Sequence, residues 1–159
     1  MNLAAQVDID RYMGKWFVIA NIPYFAETNA VGSSDTYTKL PDGRIDTVFR
    51  YHDKDFNGPE QFATNIATVE PGTHNAEWQV SFFWPISFTY QILYVDPGYQ
   101  TAVIGYPDRS LGWVFSRSSK MDETTYRGLL ERFTAQGYDV RQFRRVPQSP
   151  NDIGKAGYQ

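Results

Sequence analysis

The sequence predicts an all-β chain: an eight-stranded antiparallel up-and-down barrel followed by one C-terminal helix. Three observations carry this. Eight short segments show strand-like apolar patterning. Turn residues separate nearly all of them at close spacing, which favours antiparallel neighbours. One stretch alone, late in the chain, repeats its apolar residues at the helical period.

The elements follow in order. Residues 15–21 form a strand closed by Pro23, and residues 33–40 lead into Pro41-Asp42-Gly43. In that turn proline presets φ and glycine accepts a positive φ. Residues 44–52 alternate Ile45, Thr47, Phe49 and Tyr51 against Arg44, Asp46, Val48 and Arg50, the period of a half-buried strand. Asn57-Gly58-Pro59 turns the chain into 61–69, and Pro71-Gly72 turns it again. Strands 77–83, 88–95, 101–106 and 111–117 follow, punctuated by Trp84-Pro85, Asp96-Pro97-Gly98 and Pro107-Asp108. A helix over about 122–136 starts on Asp122 as N-cap and carries Tyr126, Leu129, Leu130 and Phe133 as one stripe, with Gly137 just past its end. A last short strand is expected at 139–143. The folded unit spans 8–147, with 1–7 and 148–159 as flexible termini.

Composition narrows the function. The chain has 159 residues, with Lys+Arg 15 and Asp+Glu 18 for a net charge of −3, so no general nucleic-acid-binding face is expected. With 42% apolar and 21% charged residues it is not a disordered chain. No apolar run approaches the roughly 18 residues of a membrane-spanning helix. Cysteine is absent, which removes disulfides, thiol nucleophiles, thiolate metal sites and an acylated anchor cysteine from this sequence. The outlying feature is 11 Phe, 11 Tyr and 4 Trp.

Other chemistry is weakly represented. His52 and His74 lie in or beside turns without metal-ligand spacing. Ser33-Ser34-Asp35 and Ser116-Arg117-Ser118-Ser119 have no histidine placed for a triad. Asp53 and Asp55 lack the remaining positions of a calcium loop. Gly105 and Gly112 make no phosphate loop. Arg141, Arg144 and Arg145 read as a solvated basic face. No cofactor and no metal is expected.

An eight-stranded barrel is filled by its own side chains or holds one small ligand. Alternation turns Asp35, Tyr37, Thr47, Phe49, Tyr51, Trp78, Val80, Phe82, Tyr90, Ile92, Tyr94, Ile104, Tyr106, Trp113 and Phe115 inward, with Asn65 assigned to the same face of an ambiguous strand. Val18, Ala20, Ile45, Ala67, Trp84 and Ala102 share that face. Four of the tyrosines, Tyr51, Tyr90, Tyr94 and Tyr106, put polar tips on apolar walls, which suits an amphipathic ligand.

Tyr12-Met13-Gly14-Lys15-Trp16-Phe17 resembles the Gly-x-Trp signature of lipocalins. Ser116-Arg117, at the end of the eighth strand, is similar to that family's arginine. Asp96-Pro97-Gly98-Tyr99 stands where the family carries a Thr-Asp-Tyr run, here broken by an insertion. Val80-Ser81-Phe82-Phe83, Tyr106-Pro107-Asp108-Arg109 and Gly137-Tyr138-Asp139-Val140 resemble the bacterial lipocalin and apolipoprotein D-like branch. The resemblance implies structural roles for Gly14, Trp16 and Arg117, with Trp16 plugging a closed end, Arg117 stacked on its indole, and the helix packed outside the barrel.

The resemblance also implies a non-enzymatic carrier of small hydrophobic ligands such as fatty acids or lysophospholipids. It implies a place in the cell envelope, periplasm or outer membrane, if a leader was removed; this sequence itself shows no signal and no anchor cysteine. The loop 23–32 and the hairpin tip 84–87 would line the open end, and their apolar residues would serve ligand entry, peripheral membrane contact or homodimer formation. Two alternatives stay open. A lipid-modifying isomerase on the same barrel would need a buried Asp35 with a shifted pKa. A protein-interaction module would use the aromatic rim over a dry, filled lumen.

Overall fold

The computed structural model describes residues 1–83 and 85–159, with Phe82 and Phe83 described by backbone alone. The order is α1 (Ile9–Tyr12), β1 (Gly14–Asn21), β2 (Ala30–Lys39), β3 (Ile45–Asp53), β4 (Gln61–Val69), β5 (Glu77–Phe83), β6 (Ile86–Val95), β7 (Thr101–Gly105), β8 (Gly112–Ser116), α2 (Glu123–Ala135) and β9 (Arg144–Arg145). Strands β2 to β8 pair antiparallel in sequence order, and β1 pairs with both β2 and β8. The sheet therefore closes into an eight-stranded barrel, with β9 added on the outer run of β1. Closure leaves the barrel strands no free edge.

Apolar residues divide between the two faces of this sheet. One buried cluster fills the barrel and includes Trp16, Val18, Tyr37, Ile45, Trp78, Ile92, Ile104 and Phe115. A second lies outside, where Tyr126, Leu129 and Phe133 of α2 cover Ile19, Leu93, Val103 and Val114. Helix α2 is thus packed on the outer face. Asp122 caps it by accepting from the Thr125 amide at 2.8 Å, and Gly137 follows its end at φ +86°. At Gly105 a Cβ would lie 2.7 Å from both Leu93 Cδ1 and the Tyr138 hydroxyl, so only glycine admits the layer beyond the helix.

Bulges redirect the alternation. In β1, Val18 faces Phe115 and Ala20 faces Val114, so two residues on β1 span one step of β8. Val18 stays inside, and Ala20 joins the outer cluster rather than the lumen. In β6, Ile92 faces Ile104 and Tyr94 faces Val103, another slip of one. Tyr94, expected in the lumen, is turned outward, where the Arg132 guanidinium lies 3.4 Å from its ring centroid.

Three further expectations are corrected. Residues 139–143 hold a 3₁₀ turn (Val140–Gln142) instead of a strand, and the ninth strand follows two residues later. Asp139 accepts from the Arg141 amide and its guanidinium, so the side chain competes with the extended ladder. Residues 1–7 are docked: Val7 is buried, and the Ala4 and Val7 amides donate to Ile92 and His74 carbonyls. Residues 148–159 are docked too. Gln148 Nε2 donates to the Val18 and Ser33 carbonyls, and Gln159 Nε2 to those of Glu27 and Ala30.

Candidate functional site

The meander puts the connections after β1, β3, β5 and β7 at one end of the barrel and α1 at the other. The α1 end is closed. Gly14 sits at φ +94°, with space for a Cβ limited by Arg117 Nη1 at 3.4 Å, so the chain turns there as glycine allows. Trp16 is fully buried and its indole donates to the Tyr12 carbonyl at 2.8 Å. Arg117 lays its guanidinium 3.7 Å from the Trp16 ring centroid. It also donates to the carbonyls of Lys15, Arg11, Tyr12 and Tyr99. Asp96 accepts from the Gly98 and Gln100 amides, which shapes the turn presenting Tyr99 to Asp8 and Arg11.

Above this plug the lower lumen is filled. Tyr12 stacks on Tyr37 and meets Trp78 edge-on, and its hydroxyl pairs with that of Tyr90 at 2.7 Å. Trp78 and Tyr90 stack at 4.9 Å, and the Trp78 indole donates to the Asn75 carbonyl. Tyr37, Trp78, Tyr90, Ile92, Ile104 and Phe115, expected as ligand contacts, all belong to this buried layer. Burial holds the hydroxyls of Tyr12, Tyr37 and Tyr90 well above the ordinary tyrosine range, so they stay neutral.

Toward the open end burial becomes partial. Thr47, Val80 and Trp113 remain buried, whereas Asp35, Phe49, Tyr51, Asn65 and Tyr106 are half-buried. Phe49 stacks on Tyr51 at 5.1 Å, and the Tyr51 hydroxyl donates to Gln61 at 3.2 Å. Tyr106 stacks on Phe88, which meets Trp113 edge-on. The Thr47 hydroxyl donates to the Asn65 carbonyl. The Phe82 side chain and Trp84, both expected in the lumen, lie outside the described residues.

The open end also holds groups that alternation missed. The β1–β2 loop places Tyr24 edge-on to Trp113 at 6.3 Å. It buries Glu27 to 5% exposure, where one carboxylate oxygen accepts from Trp113 Nε1 at 2.9 Å and Asn21 Nδ2 at 3.1 Å. Burial pushes the Glu27 carboxyl up to about 7 despite those two donors. Asp35 is also held well above the usual carboxylate range, by burial first and by the Glu27 charge second. Its residual accessible surface is lumen surface, because its place in β2 turns it inward beside Trp16 and Phe49. Glu27 left no periodic signal in the sequence; the only hint was an acid within the apolar loop Pro23-Tyr24-Phe25-Ala26.

The chain thus forms an antiparallel barrel closed at one end, with an aromatic interior whose side chains become half-buried toward the other end. The model of the lipocalin-like domain matches residues 7–148, and the chain belongs to the lipocalin family. It is 35% identical to temperature-induced lipocalin-1 of Arabidopsis thaliana, over 94% of this chain and 83% of that protein. It is 28% identical to the outer membrane lipoprotein Blc of Escherichia coli K12, over 89% of this chain and 79% of that protein. Among solved structures, insecticyanin from the tobacco hornworm Manduca sexta superposes with a TM-score of 0.75 at 14% identity, covering 100% of this chain and 90% of that one. Lobster apocrustacyanin A1 gives 0.70 at 13% identity, covering 89% and 80%. These two similarities concern the fold.

Proposed function

We propose that this lipocalin binds and carries small hydrophobic or amphipathic molecules, lipids among them, in the upper half of its barrel, using burial and no covalent chemistry. The observation that supports this most is the gradient along the barrel axis. Side chains pack solidly from the Trp16 plug to the Trp78–Tyr90 layer, then leave Phe49, Asn65, Phe88 and Tyr106 half-buried around the mouth. Each methylene taken from water into such a surface contributes about 0.8 kcal/mol before the costs of binding. Because the lower lumen is occupied by protein, the ligand site is the upper ring of Asp35, Thr47, Phe49, Asn65, Val80, Tyr106 and Trp113.

The isomerase alternative has one of its conditions met, since Asp35 is inside the barrel with a raised pKa. A proton relay also needs a group bonded to it, and no hydrogen bond reaches the Asp35 carboxylate among the described residues. Carriage therefore accounts for more of the site. Kinship with outer membrane lipoproteins supports an envelope location. Phe25 at 96%, Phe62 at 69% and Ile86 at 50% exposure, all at the open end, support contact with a lipid surface during loading. Native mass spectrometry of the purified chain, followed by organic extraction, tests the carrier reading. We expect a lipid-sized adduct that extraction releases; a chain that stays ligand-free when incubated with a lipid extract contradicts it.

A further inference from the structure

The upper cup has hydrogen-bond acceptors to spare. Both donors that reach Glu27 bind the same oxygen, Oε2, and Oε1 receives none among the described residues. Asn21 is 1% exposed, lies on the inner face opposite Trp113, and leaves its Oδ1 without a partner. The Asp35 carboxylate accepts no hydrogen bond among the described residues. Several neighbouring donors are committed. The hydroxyls of Tyr12 and Tyr90 pair with each other, the Trp78 indole donates to a backbone carbonyl, and the Thr47 hydroxyl donates to the Asn65 carbonyl.

Positive charge is missing from the same region. Lys39 and Arg117, the basic residues of the inward register, sit at the closed end, where Lys39 pairs with Asp10 and Arg117 with the Trp16 plug. Among the described residues no other Lys, Arg or His shares the inner face of the barrel. A buried polar group without a partner is costly, and a buried acid without a countercharge more so.

We propose, resting on the carrier reading above, that the cup prefers amphiphiles whose polar end donates hydrogen bonds and carries positive charge, an ammonium head on an apolar body, with Glu27, Asp35 and Asn21 Oδ1 receiving it. An ammonium supplies three donors and a charge, and its bonds to carboxylates are of the strong, charge-assisted kind. An ionised fatty acid brings a further carboxylate beside two buried carboxyls and supplies no donor.

Proton linkage has a definite sign here. The titratable groups facing the acids are each other, Tyr24 from the same loop, Tyr37 of β2 and Tyr12 of α1, and all three phenols are held neutral. Burial disfavours the charged form of both acids and a bound cation favours it, so binding the cation is linked to proton release. Affinity for the ammonium therefore rises as pH rises through the Glu27 range, and affinity for a fatty acid falls.

The test titrates the delipidated full chain with dodecylamine, dodecan-1-ol and dodecanoate, following Trp113-dependent emission. At about pH 8 we expect the amine to bind roughly tenfold or more tighter than dodecanoate, with the alcohol between them, and the gap to shrink at about pH 5. Glu27→Gln combined with Asp35→Asn should bring the amine to within about threefold of the alcohol, both measured on the same variant. Asp35→Asn alone, at a side chain that makes no hydrogen bond, should give part of that loss and serves where the double variant fails to fold. Dodecanoate binding as tightly as the amine at the higher pH, or an amine advantage that survives both substitutions, overturns the charge preference while the carrier reading stands. An alcohol that does not bind at all overturns the carrier reading and this inference with it.

Discussion

At the scale of single residues, the closed end and the open end obey opposite rules. Arg117 succeeds as a half-buried cation because its face lies on Trp16 and its edges reach four carbonyls. Trp16→Ala should cost about 3–5 kcal/mol, the range for deleting a large buried aromatic. Arg117→Lys should cost about 1–3 kcal/mol, because an ammonium cannot stack and reach all four acceptors. Denaturant unfolding measures both, and a lysine variant as stable as the parent would contradict the role given to the stack. Glu27 behaves differently. Its carboxyl titrates near 7 in the fold against 4.5 in an ordinary setting, so the folded state holds the proton more tightly. Stability is then full below the unfolded value and declines as pH rises through about 7, by on the order of 3 kcal/mol at most. Glu27→Gln should flatten that part of the stability profile; an unchanged decline from about pH 5 to pH 8 would place its cause elsewhere. The stack was legible because glycine, tryptophan and arginine stand at recognisable places in the strand order. Glu27 was not, because loop residues follow no period and their burial is decided by the elements around them.

At the scale of elements, alternation assigned strand faces correctly until a bulge intervened. Trp78, Val80, Tyr90 and Ile92 lie inside as their parity requires. Beyond the slip at Ile92, Tyr94 is outside, and beyond Val18 so is Ala20. A bulge flips every later side chain by one, and nothing in the local sequence of β6 announces it. The helix was the easier element, with a cap, a stripe and a closing glycine in agreement. It buries Tyr126, Leu129 and Phe133, the last against Tyr138 and Phe143. Phe133→Ala should lower unfolding free energy by about 3–5 kcal/mol while leaving ligand affinity unchanged, since the residue lies on the far side of the sheet from the cup. A matching loss of affinity would show that the outer layer governs the lumen.

At the scale of the molecule, the barrel separates two surfaces that a small domain must keep apart. One apolar layer stabilises the wall from outside, and the other is left incomplete at the mouth. Phe25, Phe62 and Ile86 surround that mouth at high exposure. If they touch a lipid surface, Phe25→Ser should reduce co-sedimentation with phosphatidylcholine vesicles several-fold without changing the affinity for a soluble ligand; equal sedimentation would assign the rim another role. The architecture was readable from the strand count, the turns and the family signatures. The depth of the cup was not, because alternation names the inward residues but not how tightly Tyr12, a residue of α1, and its neighbours fill the floor.

The most direct measurement is a titration of the parent chain and Val80→Phe with dodecan-1-ol, read by tryptophan emission. Val80 faces the upper lumen across from Phe88, so the larger ring removes space there without adding charge. A ligand seated in the upper cup should saturate the parent and bind the variant at least about tenfold more weakly, with the variant still folded by circular dichroism. Equal affinity in a folded variant would place the ligand outside the barrel and contradict the account.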